Sequence, residues 1–131
     1  MSGTNNSMLT PLKKVRGLGS AREGTMHFWR QRLTALANVP LTLFFVGLLI
    51  ALNGQDFEYT RSVLGNPFVA LMLALMVISG LVHMRLGMQV VIEDYVHGEG
   101  AKLVCLVLNT FFTVAIGAMA LFALIRLALG G

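Results

Sequence analysis

The segment SVLGNPFVALMLALMVISGLVHM, residues 62–84, decides the fold of this chain because it contains no charged side chain. Two further uncharged runs, residues 33–55 and 103–125, have the same length of 23 residues. As a helix, such a run rises about 34 Å, which is enough to cross a bilayer core of about 30 Å. The three runs predict an all-α integral membrane protein with three transmembrane helices.

The composition excludes an ordinary soluble domain. Of the 131 residues, 56% are hydrophobic and only 12% are charged, whereas soluble domains carry roughly 25% charged residues. The first uncharged run starts too late and is too long for a cleaved signal peptide. A lipid bilayer is therefore the first partner that the sequence predicts.

Local signals place the ends of the spans. Asn66-Pro67 is typical of a helix N-cap followed by proline at the first helical position, and glycines 98 and 100 break the chain before the third span. Ser20-Ala-Arg-Glu23 has the form of a capping box and predicts an interfacial helix, whereas residues 54–66 form a loop without a recognisable site. We expect an N-terminal cytoplasmic segment (1–32) and a three-helix membrane domain (33–131) with spans at about 33–55, 67–92 and 101–129.

The distribution of basic residues predicts the topology. Six precede the first span, whereas only Arg61 lies in the first loop and only Lys102 in the second. The positive-inside rule therefore places the N-terminus in the cytoplasm. A basic cluster beside a span is a topology signal, so we expect no nucleic-acid partner. The six residues are Lys13, Lys14, Arg16, Arg22, Arg30 and Arg32.

The basic N-terminal segment also raises the question of a transit peptide, because Glu23 is its only acidic residue. Since the chain begins at Met1, we expect that nothing has been removed. A bacterial inner membrane, crossed by several spans, is the location that fits this expectation.

One ionisable side chain, His83, lies inside the second uncharged run. Such a group costs several kcal/mol in lipid unless it has a partner, which makes it a candidate functional site. At 100° per residue, Gly87, Val90 and Asp94 fall within about 40° of His83 on one stripe of the helix. Gly87 removes a side chain one turn from the imidazole, where a flat ring would otherwise collide.

Three interpretations of His83 remain open from the residues alone. The ring can hydrogen-bond to a neighbouring helix, it can belong to a proton relay, or it can be an axial ligand of haem iron. A relay would need further acids inside the spans, and the sequence has none there. A haem would need a second ligand, either an in-span methionine such as Met84 or Met88 or a histidine of a partner subunit. His27 and His97 lie at or outside the interface and cannot supply it.

Three more side chains close to His83 in sequence have more than one interpretation. We expect Arg85 to be a buried or half-buried cation that needs a counter-ion, which haem propionates, Asp94 or lipid phosphate can provide. Tyr95 can donate a hydrogen bond to a quinone carbonyl, with Asp94 beside it to orient it or to pass protons. A lone tyrosine at a membrane boundary is otherwise typical of the aromatic belt.

The order His83, Gly87, Asp94, Tyr95 resembles the small hydrophobic membrane anchor subunit of succinate dehydrogenase, complex II, of the D type. The stretches Gly17-Leu-Gly-Ser-Ala-Arg-Glu-Gly24 and His27-Phe-Trp-Arg-Gln-Arg-Leu-Thr-Ala35 resemble its alphaproteobacterial members. Size, number of spans and topology agree, so the resemblance covers nearly the whole chain.

The resemblance implies a role for each of these residues. His83 is one axial ligand of haem b, with the other ligand on a second anchor subunit, and Gly87 gives the haem room. Arg32 faces a haem propionate, and we infer the same role for Arg85. Tyr95 hydrogen-bonds ubiquinone, with Asp94 beside it.

The resemblance also implies partners and a reaction. Electrons from succinate reach this chain through a flavoprotein and an iron–sulfur subunit, and a second, cytochrome b-type anchor subunit completes the haem site. The chain has one cysteine and no flavin motif, so it cannot oxidise succinate itself and acts as a subunit of succinate:quinone oxidoreductase. Two alternatives remain: an anchor of a quinol:fumarate reductase, and a structural or assembly membrane protein without redox chemistry.

Overall fold

The computed structural model describes residues 21–130. In this range the chain forms four helices and no strand, and three of the helices are long and apolar enough to cross a membrane. The predicted all-α fold with three transmembrane helices is thereby confirmed. The helices are α1 (Ala21–Leu52), α2 (Phe57–Leu64), α3 (Pro67–Tyr95) and α4 (Glu99–Ala128).

The ends of the long helices follow from local chemistry. At the start of α3, the side chain of Asn66 accepts a hydrogen bond of 3.0 Å from the backbone N–H of Phe68, and proline occupies the first turn. After α1, Gly54 has a φ of 79°, a left-handed conformation that glycine adopts without steric cost. The connection between the first two spans therefore begins with a glycine turn and ends at a capped helix start.

Helix α1 continues without interruption from Ala21 through the first apolar run. The predicted boundary between residues 32 and 33 therefore falls inside one helix. That this position separates two domains stays a prediction. Pro40 lies within α1, where its missing N–H removes one helical hydrogen bond. The predicted capping box begins at Ser20, which lies outside the described residues.

A short helix, α2, occupies most of the segment that the sequence predicts to be a loop. Its N-cap is Asp56, whose carboxylate accepts a hydrogen bond of 2.8 Å from the backbone N–H of Tyr59. Glu58 lies in its first turn and Arg61 in its last turn, so both charges complement the helix dipole. The prediction of a loop was therefore wrong over these eight residues.

The central span, α3, packs against both α1 and α4, and these two contacts provide most of the interhelical packing in the described range. Few side chains become buried as a result, so most of the apolar surface of the spans remains exposed. The packing of the described spans is therefore open. The buried side chains are Leu41, Ala70, Leu73, Leu86, Ile92 and Thr113.

We predict that Gly65→Ala destabilises the protein. A Cβ at this position would lie 2.8 Å from the backbone carbonyl oxygen of Leu127, so the link between α2 and the end of α4 must shift. Overpacking of this kind costs about 1–3 kcal/mol. Thermal unfolding of the detergent-solubilised protein measures the effect, and Gly47→Ala is the control because nothing lies within 4 Å of its added Cβ. Equal melting temperatures for the two variants would contradict the assignment.

Candidate functional site

One face of α3 is lined by Ser79, His83 and Gly87, which follow one another at intervals of four residues. This spacing places them on adjacent turns of the same side of the helix. All three approach α1: the two polar side chains form hydrogen bonds to it, and Gly87 lies against Gln31. The stripe predicted for His83 and Gly87 is therefore the face that α3 turns toward α1.

The hydrogen-bond partner of His83 is Thr34 of α1. The Thr34 Oγ1 lies 3.2 Å from Nδ1 of the half-buried His83 ring. The same hydroxyl lies 2.8 Å from the carbonyl oxygen of Arg30 and 3.1 Å from that of Gln31. The hydroxyl of Ser79 donates a hydrogen bond of 3.3 Å to the backbone carbonyl of Thr34. The two helices are thus joined at Thr34 by two polar contacts.

Sequence reasoning missed Thr34 and Ser79. Each is a single small polar residue within an apolar run, and such residues commonly bond to the carbonyl one turn earlier in their own helix. The contact depends on how α1 and α3 align, which residue spacing along one helix does not reveal. A weak signal was present, because interhelical contacts in membranes are enriched in serine and threonine.

Two further polar groups lie on the same face of α1, toward its N-terminal end. His27, Gln31 and Thr34 follow the spacing i, i+4, i+7, which is one helix face. The His27 Nε2 and the Gln31 Oε1 are buried and have no hydrogen-bond partner among residues 21–130. A Cβ added to Gly87 would lie 3.5 Å from Nε2 of Gln31. A polar strip therefore leads from the N-terminal part of α1 to His83.

The opposite face of α3 packs against α4. Here a Cβ added to Gly117 would lie 3.0 Å from Cδ1 of Leu81, and Asn109 donates a hydrogen bond of 3.1 Å to the backbone carbonyl of Arg85. Arg85 is turned from His83 by about 160° around the helix. Its side chain is exposed, so the expected burial or half-burial does not occur within this chain.

Arg32 lies on α1 away from the face that contacts α3, about 160° from Thr34. Its side chain is exposed, and its guanidinium carbon lies 4.9 Å from the centroid of the Phe28 ring. This distance is that of a cation–π contact. The role predicted for Arg32 toward a propionate stays a prediction.

Asp94 and Tyr95 occupy the last two positions of α3. Both are exposed, and Tyr95 retains 78% of its possible accessible surface. They follow His83 by about 16–18 Å along the helix axis. The neighbouring Glu93 accepts a hydrogen bond of 2.8 Å from Gln89 Nε2. The chain thus presents a phenol and a carboxylate at the end of the span without covering them.

Nothing in the described residues completes a metal site around His83. No group of three or more potential metal-ligating side chains occurs there. Met84 and Met88 are partly exposed on α3, whereas His97 follows the end of that helix and is exposed. The site consists of one in-span histidine, its threonine partner on α1 and an exposed polar end of α3.

These features define a multi-pass membrane protein whose described spans are open on their outer faces and whose central span carries a histidine bonded to the first span. The sequence family described as succinate dehydrogenase/fumarate reductase transmembrane subunit matches residues 6–117. The chain belongs to this family.

Three curated relatives agree with this assignment. The succinate dehydrogenase hydrophobic membrane anchor subunit of Paracoccus denitrificans is 38% identical over 93% of this chain and 94% of its own length. That of Rickettsia bellii is 37% identical over 63% of this chain and 66% of its own length. The membrane anchor subunit of Reclinomonas americana is 31% identical over 72% and 82%. The resemblance inferred from the sequence is confirmed.

We predict that Gly87→Ala leaves the helix pair intact. The added Cβ would make ordinary van der Waals contact with Gln31 Nε2, at 3.5 Å, and alanine favours the helix by about 1 kcal/mol over glycine. Gly87→Leu should instead displace Gln31 and lower the melting temperature of the solubilised protein. Gly80→Leu is the matched control, since nothing lies within 4 Å of that Cβ. Equal losses from both leucine variants would show that Gly87 does not lie at the contact.

Proposed function

We propose that this chain is the anchor subunit of a succinate:ubiquinone oxidoreductase that supplies one axial ligand to haem b and part of the ubiquinone-reduction site. The single observation that carries the proposal is His83, an imidazole inside a membrane span that uses only Nδ1 within the described chain. Membership of the family supports the class of complex. The haem, the quinone and the individual partners are parts of the proposal.

The residues present fit a haem in two respects. Imidazole nitrogen is a standard axial ligand of haem iron, and among residues 21–130 the hydrogen bond of His83 involves Nδ1 alone, which leaves Nε2 for the iron. The open packing of the three spans also leaves wide apolar surfaces on which a second anchor subunit can lie. That subunit, of the cytochrome b type, supplies the other ligand in this proposal.

The remaining haem contacts follow from the same proposal. Gly87, which lies against Gln31 of α1 in this chain, adds no side chain beside the haem, while Arg32 and Arg85 neutralise its propionates. Both arginines are exposed in this chain, so their side chains can reorient toward an anionic group at the membrane boundary, Arg32 by giving up its contact with Phe28. A bound haem supplies a centre that accepts and returns one electron at a time.

The quinone half of the proposal rests on the end of α3. The hydroxyl of Tyr95 can donate a hydrogen bond to a ubiquinone carbonyl, and Asp94 can orient that hydroxyl or deliver protons. Their position at the end of an apolar span suits a ligand with an apolar tail and a polar head. Partner subunits would cover the exposed Tyr95 ring and complete the pocket.

In this proposal, partner subunits carry out the steps for which this chain has no flavin motif and no cysteine cluster. A flavoprotein oxidises succinate, an iron–sulfur subunit carries the electrons, and this chain helps to deliver them to quinone. The six basic residues before the first apolar run support a cytoplasmic N-terminus in a bacterial inner membrane. The family description also covers fumarate reductase, but the named relatives are succinate dehydrogenase subunits, which favours the succinate direction.

We predict that His83→Ala removes or strongly alters the b-haem absorbance of the purified complex, because the iron loses one of its two axial ligands. The optical spectrum of the dithionite-reduced complex, normalised to flavin content, measures the change. His97→Ala is the matched control, since His97 is exposed after the end of α3. An unaltered haem spectrum in the His83 variant would refute ligation.

We predict that Tyr95→Phe lowers ubiquinone reduction about tenfold, since a lost hydrogen bond of up to about 1.4 kcal/mol corresponds to that factor. Succinate oxidation by an artificial dye should remain near the wild-type rate, because that assay does not need the quinone site. Tyr59→Phe is the control, as this second tyrosine lies on α2, beyond the other end of α3. Unchanged quinone turnover would eliminate the role.

A further inference from the structure

We infer that Thr34 is the positioning residue of the haem ligand: its hydroxyl oxygen fixes the tautomer and the ring orientation of His83, so that Nε2 faces the iron. This inference rests on the proposed haem function. It assigns a role to a residue of α1 that lies 49 positions from His83 in sequence, outside the His83–Tyr95 segment.

The proton of the Thr34 hydroxyl decides the direction of the hydrogen bond. A hydroxyl has one hydrogen and two acceptor lone pairs, and a backbone carbonyl can only accept. The Oγ1 lies 2.8 Å from the Arg30 carbonyl oxygen, a distance that is unfavourable for two oxygens unless a hydrogen lies between them. The Thr34 proton is therefore directed to its own helix.

Because the Thr34 hydroxyl donates its proton to the Arg30 carbonyl, its oxygen can only accept a hydrogen bond from the histidine. The contact of 3.2 Å between Thr34 Oγ1 and His83 Nδ1 then requires the ring hydrogen on Nδ1. In a neutral imidazole this leaves the lone pair on Nε2. A neutral ring with a free nitrogen lone pair is the form that binds a metal, and the partner of the other nitrogen sets that form.

Ser79 holds this arrangement in register. Its hydroxyl donates a hydrogen bond of 3.3 Å to the Thr34 carbonyl, one helical turn from His83 on α3. Thr34 therefore contacts α3 through both its main chain and its side chain. Because the His83 ring is tied to α1 in this way, rotation about its side-chain bonds must break the contact.

The test is Thr34→Val in the purified four-subunit complex, because valine has nearly the same shape and removes the acceptor. A hydrogen bond from the ring N–H makes the imidazole a stronger electron donor, which stabilises ferric iron. We therefore expect a higher haem midpoint potential, a shifted low-spin ferric EPR signal and a haem affinity lower by roughly tenfold, as is typical when such a partner is lost. Thr34→Ser should retain wild-type values.

Thr42→Val is the matched control, since Thr42 lies on the same helix and is exposed. A Thr34→Val complex with wild-type potential and EPR signal would overturn the inference, as would equal shifts from valine and serine. If the valine variant does not assemble, Thr34→Ala requires no additional space and carries the same expectation.

The His83→Ala experiment separates this inference from the proposed function. If that variant keeps its haem spectrum, the haem proposal fails and the role of Thr34 fails with it. If His83→Ala loses the spectrum while Thr34→Val changes neither the potential nor the EPR signal, ligation stands and only the positioning role is overturned.

Discussion

The lack of hydrogen-bonding solvent in the bilayer is the constraint on which the rest of this structure depends. Every backbone polar group in the membrane must be satisfied within the chain, which makes the spans helical. The same constraint acts on the polar side chains of the spans. Thr110 and Thr113 bond to carbonyls in their own helix, whereas Ser79, His83 and Asn109 bond to a neighbouring helix.

Those few interhelical bonds matter because apolar side chains do not drive helices together in lipid. Association depends instead on close packing and on polar contacts. On one side of α3, Thr34 is held by Ser79 and His83. On the other side, α4 packs a glycine against Leu81 and an asparagine amide against the carbonyl of Arg85. The central helix, α3, therefore packs against other helices on two opposite faces.

The sequence predicted the spans well because composition alone decides them. The central helix, predicted from Pro67 to about Ile92, extends to Tyr95, and the third, predicted from about Ala101, begins at Glu99. The sequence did not predict the short helix α2, because eight residues flanked by polar neighbours give too little hydrophobic periodicity. Its signals were an aspartate N-cap and charges matched to the helix dipole.

Within the candidate site, the sequence identified the residues that stand out by chemistry and missed those that act by position. An in-span histidine is rare enough to be recognised alone. Thr34 is ordinary in type, and only the alignment of α1 against α3 gives it a role. The directions in which the side chains of Arg32 and Arg85 point likewise depend on which faces of α1 and α3 contact another helix. The sequence positions of these two charges do not reveal that.

The two opposite faces of α3 explain why, under the haem proposal, this chain would provide only half of the cofactor site. His83 lies on the face toward α1, and α4 covers the opposite face, so the third span cannot reach the imidazole with a ligand of its own. On α1, the strip that leads to Thr34 includes two buried polar atoms without partners among the described residues, His27 Nε2 and Gln31 Oε1. An unsatisfied buried polar group costs about 1–3 kcal/mol. In the proposed complex, a second anchor subunit whose polar groups enter along this strip would supply hydrogen bonds there and a ligand at the same depth as His83.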